Sequence, residues 1–249
     1  MTNLLKISII TACYNSVSTI SETFDSIRSQ DYKNIELIVI DGGSNDGTLE
    51  IIGNNMDIIS KFISEADSGI YNAMNKGLKI ATGDIIGFLN SDDTYFNHKV
   101  LSDIANTFSS NIDCTFGNLV FVNSRNKVIR RWYSNDFEPG LFKYSWTPAH
   151  PTFYCKKQVY NRLGYYREDF SIASDVDLMF RFLEIHRIKS SFIEKPLVKM
   201  KIGGASTKSL KSTIRITREV FTSFKENGYN YNYLDYLIGK LSKAIKQLK

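Results

Sequence analysis

Asp84-Ile-Ile-Gly-Phe-Leu-Asn-Ser-Asp-Asp-Thr-Tyr95 is a short apolar run stopped by two adjacent carboxylates. Ile85 to Leu89 leaves no room for a helix before Asn90, so it reads as a strand buried on both faces, as in a parallel sheet. In an open α/β sheet the carboxyl ends of the strands form the ligand crevice. Asp92 and Asp93 repel one another and need solvent, helix-start amides or a cation beside them. Oxygen ligands of this kind suit Mg2+ or Mn2+, which usually hold a substrate phosphate as well. Ser91 or Asp92 as a cap for a helix starting near Asn97 is the plainer alternative.

Upstream, strands and helices alternate. Lys6 to Ala12 is isoleucine-rich and reads as a first strand ending at Cys13-Tyr14-Asn15. A helix follows with Ile20, Phe24 and Ile27 on one face. Ile35 to Ile40 is a second strand, ending at Asp41-Gly42-Gly43-Ser44-Asn45-Asp46-Gly47-Thr48. Lys61 to Ser64 is a weak third strand, and Tyr71 to Ala81 a helix with Met74, Leu78 and Ala81 on one face. This βαβαβαβ order implies a parallel core with right-handed crossovers. Asn15, Asp41 and Asp92 then each follow a strand end, which sends three polar clusters to one edge. Neither GxxxxGK[ST] nor GxGxxG is present, so a metal is the better phosphate holder. Asp41 is placed to accept hydrogen bonds from a base or ribose. A tight turn with a helix cap explains the same loop without a ligand.

Downstream the pattern changes. Cys114 to Asn123 and Lys127 to Tyr133 read as two antiparallel strands. Trp132, Tyr133 and Trp146 are suited to a sugar face or to the core. His150 is open to a phosphate, acceptor or structural role. In Ile172 to Leu183, Ser174 is a good N-cap, while Val176, Met179, Phe180 and Leu183 share an apolar face. Asp177 and Arg181 form an i,i+4 pair, read as a surface salt bridge. Asp175 sits where the helix dipole favours a carboxylate, and one aimed into a cleft can take a proton from a hydroxyl. An ordinary helix-start aspartate is the other reading.

The chain has 249 residues, 43% of them hydrophobic and only four prolines, enough for a sizeable folded core. Cys13, Cys114 and Cys155 are far apart and lack metal-ligand spacing, which implies reduced packing residues in a cytoplasmic protein. The interrupted apolar start argues against a signal peptide, and no run approaches the roughly 18 residues of a membrane span.

The net charge of +5 is unevenly spread: from Arg187 onward 14 Lys and Arg face 4 Asp and Glu, against 17 and 22 before it. A basic tail behind an acidic body points to an anionic partner surface. Leu234, Leu237, Ile238, Leu241, Ala244, Ile245 and Leu248 fall on one helical stripe, with Lys240, Lys243, Lys246 and Lys249 off it. This is the makeup of an interfacial helix over residues 230–249, and equally of a helix docked on the core. Nucleic acid is disfavoured, because the basic residues gather in the tail without RNA-motif aromatics. No oligomeric state follows from the sequence.

The segments ITACYN, VIDGGSNDGT, SEADSGIYNAMNKG, FLNSDD, HPTFY, ASDVDLMFR and GGAS, in this order over residues 6–206, resemble family 2 glycosyltransferases. The resemblance implies the GT-A fold: an α/β, Rossmann-like, mostly parallel sheet flanked by helices. A small antiparallel element and a C-terminal helical tail would complete it. Residues 1–206 would be the glycosyltransferase domain, 1–95 its nucleotide half and 96–206 its acceptor half, with 207–249 a basic helical extension.

The same resemblance implies residue roles. Thr11, Tyr14, Asn15 and Asp41 would hold the base and ribose, with Asp67 and Asn75 further along the nucleotide side. Asp92 stands at the second position of an Asp-x-Asp metal motif with Asp93 beside it, and Asn90 replaces the first aspartate. Asp175 matches the catalytic base, and Ser174 stands where many relatives carry glutamate. The implied reaction is inverting transfer of a sugar from a nucleotide diphosphate, with Mg2+ or Mn2+, to a glycan or lipid-linked acceptor in surface polysaccharide synthesis. The rivals are a nucleotidyltransferase, which would normally need a basic glycine-rich loop near its start, and a non-catalytic sugar-nucleotide-binding module.

Overall fold

A computed structural model describes residues 4–108, 111–201 and 210–247. The strands are β1 (Ile7–Cys13), β2 (Ile35–Asp41), β3 (Ile59–Ser64), β4 (Ile85–Phe88), β5 (Asp93–Tyr95), β6 (Cys114–Val122), β7 (Val128–Trp132), β8 (Tyr154–Lys156) and β9 (Ser190–Lys201). They form one sheet in the order β3-β2-β1-β4-β8-β6-β9-β5, with β7 paired to β6. β3, β2, β1 and β4 run parallel, Ile7 lying between Ile35 and Ile85. Every residue of β1 is buried, as a central strand with two covered faces requires. β4 pairs antiparallel with β8, β6 antiparallel with β7 and β8, and β5 antiparallel with β9. The expected mostly parallel sheet with an antiparallel element is therefore present.

The helices α1 (Ile20–Arg28), α2 (Thr48–Gly53), α3 (Ile70–Ile80), α4 (Val100–Thr107), α5 (Lys157–Leu163), α6 (Ser174–Phe180), α7 (Leu210–Glu226) and α8 (Tyr233–Gln247) complete the fold. Ile20, Phe24 and Ile27 of α1 join Val100, Leu101 and Ile104 of α4 in one buried cluster. Met74 and Leu78 of α3, Leu178 and Phe180 of α6, and Phe224 of α7 belong to the other. α7 thus contributes to the main core. The sequence boundary at residue 206, like the GGAS segment, lies outside the described residues.

Two local readings are corrected. Ser174 is the first helical residue and caps nothing: its Oγ is buried without a hydrogen-bond partner. Asp177 and Arg181 are no surface pair, because the Asp177 side chain is 1% exposed and Arg181 Nε donates to it at 2.8 Å. Arg181 also donates to the carbonyls of Leu163 and Tyr165, so a buried charge meets several acceptors.

α8 is also turned differently from the simplest expectation. It docks on the body through buried Tyr236 and through Gly239, where an added Cβ would lie 2.0 Å from the Tyr144 carbonyl oxygen. Lys240 donates inward to Thr217 Oγ1 at 2.9 Å, and Lys243 lies 3.9 Å from the Trp132 ring centroid. Leu234, Ile238, Leu241 and Ile245 stay between 62% and 67% exposed. The helix hides lysines and shows leucines; Leu248 lies outside the described residues.

Candidate active site

The loops that follow β1, β2 and β4 are tied to one another. The Asn15 amide donates to Ser44 Oγ, and the Asn45 amide to Asn15 Oδ1, linking the first two loops. Asn15 adopts φ 48°, a left-handed conformation asparagine tolerates, which turns the chain into the crevice. Ser16 and Ser91 hydroxyls meet at 2.8 Å, joining the β1 loop to the carboxylate loop.

Asp41 is buried at the end of β2. It accepts from Ser44 Oγ at 2.5 Å, Ser64 Oγ at 2.7 Å and the Gly43 and Ser44 amides. Burial alone would raise its carboxyl, but these donors hold it below the usual carboxylate range. Asp41 therefore shapes the loop. Beside it, Gly42 has no side chain because Asp67 fills the space: a Cβ would lie 2.6 Å from Asp67 Oδ2 and 3.5 Å from Tyr14 Cδ2. Tyr14, Gly42 and Asp67 thus line one wall, Tyr14 being 62% exposed. Thr11 lies fully buried in β1 with its hydroxyl unpartnered. Asn75 is a strut: its amide group donates to the Tyr166 carbonyl and to Glu168, and its oxygen accepts from the Tyr166 amide.

At the end of β4 the two carboxylates differ. Asp93 is fully buried at the start of β5, and Asp92 is half-buried. Burial pushes both carboxyls up, Asp93 further because it is buried more completely and the Asp92 charge adds to the rise; nearby Lys201 pulls Asp92 back in part. Asp93 Oδ1 and Asn90 Oδ1 are buried without hydrogen-bond partners. Neither aspartate caps α4, whose N-cap is Lys99. Unmet oxygens on a carboxylate loop fit a hard cation. No group of three or more His, Cys, Asp and Glu placed to hold a metal occurs among the described residues, so part of any coordination would fall to water and substrate.

Asp175 lies in the first turn of α6, where Tyr71 OH donates to its Oδ1 at 3.1 Å. Tyr71 stacks on Tyr166 at 5.7 Å, and Tyr166 meets Phe88 edge-on at 5.3 Å. Phe88 ends β4, two residues before Asn90, so this aromatic chain runs from the Asp175 carboxylate to the Asp92 loop. His150 Nε2 lies 2.7 Å from Tyr166 OH and is buried; burial lowers its pKa and favours the neutral ring, against the pull of Asp175. It is a structural partner of Tyr166.

Sequence reasoning missed Glu219 of α7. Its carboxylate accepts from the Ser171, Ile172 and Ala173 amides at 2.8–3.0 Å and from Ser171 Oγ. It supplies the cap that Ser174 does not. Nothing at sequence distance 46 announces such a contact.

Residues 8–173 match the family model described as Glycosyl transferase family 2. The chain belongs to this family. It is 29% identical over 214 residues to an uncharacterized glycosyltransferase of Rickettsia typhi, covering 81% of this chain and 65% of that one. It is 34% identical over 123 residues to a UDP-Glc:alpha-D-GlcNAc-diphosphoundecaprenol beta-1,3-glucosyltransferase of Escherichia coli, covering 49% of this chain and 49% of that protein. The chain thus spans between about half and two thirds of these relatives. Among solved structures, TarS of S. aureus residues 1–349 in complex with UDP superposes with a TM-score of 0.66 at 21% identity, covering 88% of this chain and 65% of that one. The mannosyltransferase PcManGT from Pyrobaculum calidifontis, in complex with GDP-Man and Mn2+, gives 0.66 at 17% identity, covering 98% and 70%. These likenesses place the family 2 domain on the GT-A fold, a mixed α/β sheet between helices.

Proposed function

We propose that this family 2 glycosyltransferase moves a sugar from a nucleotide-diphosphate sugar to an acceptor hydroxyl with inversion at the anomeric carbon. The observation that carries the reading is the aromatic chain that links the Asp175 carboxylate, through Tyr71, Tyr166 and Phe88, to the end of β4 before the Asp92 loop. Tyr14 and the Asp41–Asp67 wall would receive the nucleoside. Tyr71 holds Asp175 by one oxygen, leaving the other without a hydrogen bond among the described residues. That oxygen takes the acceptor's proton as the acceptor oxygen attacks the anomeric carbon. The bond from that carbon to the diphosphate breaks on the opposite face, and the nucleoside diphosphate leaves. The base and leaving group on opposite sides of the ring match the logic of inverting glycosidases.

The unmet oxygens of Asn90 and Asp93, together with Asp92, would hold Mg2+ or Mn2+. Such an ion, when bound, neutralises the charge that develops on the diphosphate. The complex of PcManGT with Mn2+ and the UDP-bound TarS agree with a nucleotide donor and a divalent ion. The diphosphoundecaprenol named for the E. coli relative makes a lipid-linked acceptor the reading of choice here. The exposed Leu234, Ile238, Leu241 and Ile245 stripe supports a peripheral place on a membrane. No described helix is long and apolar enough to cross one. Thermal shift against a sugar-nucleotide panel, with and without Mn2+, tests the donor. Metal-dependent stabilisation by one nucleotide series supports the reading, and indifference to all of them removes it.

A further inference from the structure

Three cations meet on the inner side of α8. Arg130 and Trp132 lie two apart in β7 and share its half-buried face, where the Arg130 guanidinium sits 3.7 Å over the Phe121 ring. α8 lays Lys243 on Trp132, and Lys240 stands one turn earlier, half-buried, with Thr217 as its hydrogen-bond partner. None of the three has a salt bridge among the described residues, although twelve ion pairs form elsewhere. The Arg130 Nε is buried and unpartnered.

Grouped cations withdrawn from water without counter-charge are costly. Burial draws the Lys243 ammonium down to about 7, with Asp175 acting against that shift and Lys240 and Arg130 adding to it. Asp175 is therefore within electrostatic reach of Lys243, while among the described residues its hydrogen bond comes from Tyr71. The cluster has an aromatic floor, three cationic donors, an unspent guanidinium nitrogen and the proton-accepting carboxylate beside it.

We propose that Arg130, Lys240 and Lys243, gathered against Trp132 beside Asp175, form an anion site that holds a phosphate or diphosphate group of the acceptor. A planar guanidinium and two ammonium groups suit phosphate oxygens, and the aromatic floor keeps water from one side. An acceptor whose hydroxyl reaches Asp175 would rest its phosphate on this cluster. The outward stripe of the same helix lies against whatever apolar chain that phosphate bears. The acceptor assignment rests on the glycosyl-transfer reading, whereas the anion site itself does not.

The test is a titration of the full chain with inorganic pyrophosphate in EDTA, followed by tryptophan fluorescence and calorimetry. Wild type, Lys243→Gln, Arg130→Gln, Lys243→Arg and Asp92→Asn are compared, each first checked by circular dichroism and thermal melting. Pyrophosphate is expected to bind without metal and to weaken about tenfold in either glutamine variant, the loss of one charge-assisted bond. Lys243→Arg and Asp92→Asn should bind as wild type does, and saturating UDP should not displace the pyrophosphate. Absent binding, or binding equal to wild type in the folded glutamine variants, would overturn the site. Displacement by UDP, or loss in Asp92→Asn, would assign the anion to the donor and overturn the acceptor role. Because pyrophosphate binding needs no turnover, a failure of glycosyl transfer would leave this result separately readable.

Discussion

The Glu219 carboxylate of α7 accepts a 2.8 Å hydrogen bond from the Ala173 amide, immediately before the helix that carries Asp175. Its other bonds, to the Ser171 and Ile172 amides, fix the rest of that turn. A helix from the C-terminal region thus fixes the turn that leads into the helix carrying Asp175. Replacing Glu219 by Gln keeps its shape but removes the charge that three amides share. The expected result is a fall in kcat of about tenfold with donor KM unchanged, since each charge-assisted bond is worth roughly 1.5–3 kcal/mol. A loss confined to thermal stability would make Glu219 merely structural. Burial would raise this carboxyl, but the amides hold it below its ordinary value, so its contribution is present above that value and fades as pH falls through the lowered one.

Asp175→Asn should cut kcat by about 10²–10⁴-fold, the usual yield of general-base catalysis, while calorimetric donor affinity stays as it is. Tyr71→Phe removes the phenol that holds Asp175 Oδ1 and should cost a smaller factor, about tenfold. Normal turnover in Asp175→Asn would move the base elsewhere.

Asp92 and Asp93 carry raised carboxyl pKa values, both from burial first. Between the ordinary carboxylate value and the raised ones the folded chain binds more protons than the unfolded chain. Metal-free stability should therefore fall as pH rises through that window, and stay reduced above it. Asp93→Asn should flatten this slope. Mn2+ should raise Tm more at pH 7.5 than at pH 5, by about 2–4 °C per kcal/mol recovered. Equal shifts at both pH values would argue against a carboxylate-held ion.

Gly42→Ala would set a methyl 2.6 Å from Asp67 Oδ2, so either the loop or Asp67 must move. UDP affinity is expected to fall about tenfold or more, with Tm lowered by overpacking of about 1–3 kcal/mol. Calorimetry that returned wild-type affinity would take the Tyr14–Asp67 wall out of the nucleotide site.

Leu241→Glu changes a 67% exposed side chain and should leave folding intact. Affinity for anionic vesicles in co-sedimentation is expected to drop about tenfold or more in this variant, each exposed leucine contributing about 1.5–3 kcal/mol when buried. Wild-type partitioning would remove the membrane reading of α8.

The crevice was legible because its parts sit at strand ends. Isoleucine-rich runs followed by polar residues mark β1, β2 and β4, and parallel pairing brings Asn15, Asp41 and Asp92 to one edge. The antiparallel β6 and β7 followed from two apolar runs around a polar turn. What escaped was set by distant partners. Ser174 has cap chemistry, but Glu219 occupies the amides first. Asp177 and Arg181 have the spacing of a surface pair, and only α7 lying across them makes them internal. Asn75 matches a family motif, yet its amide is spent on Tyr166. The stripe on α8 told where the apolar residues lie around the helix, but not which side the body would claim, because Gly239 and Tyr236 decide that by shape.

Ser223 of α7 donates to Asp177 Oδ1 at 2.6 Å while Arg181 holds the other oxygen and reaches back to the Leu163 and Tyr165 carbonyls. No one of these segments can peel away without stranding an ion in the interior. α6, α7 and the 163–165 turn should therefore exchange their amide hydrogens as one late-opening unit, so Asp175, the proposed base, would ride on a part of the molecule that is slow to breathe.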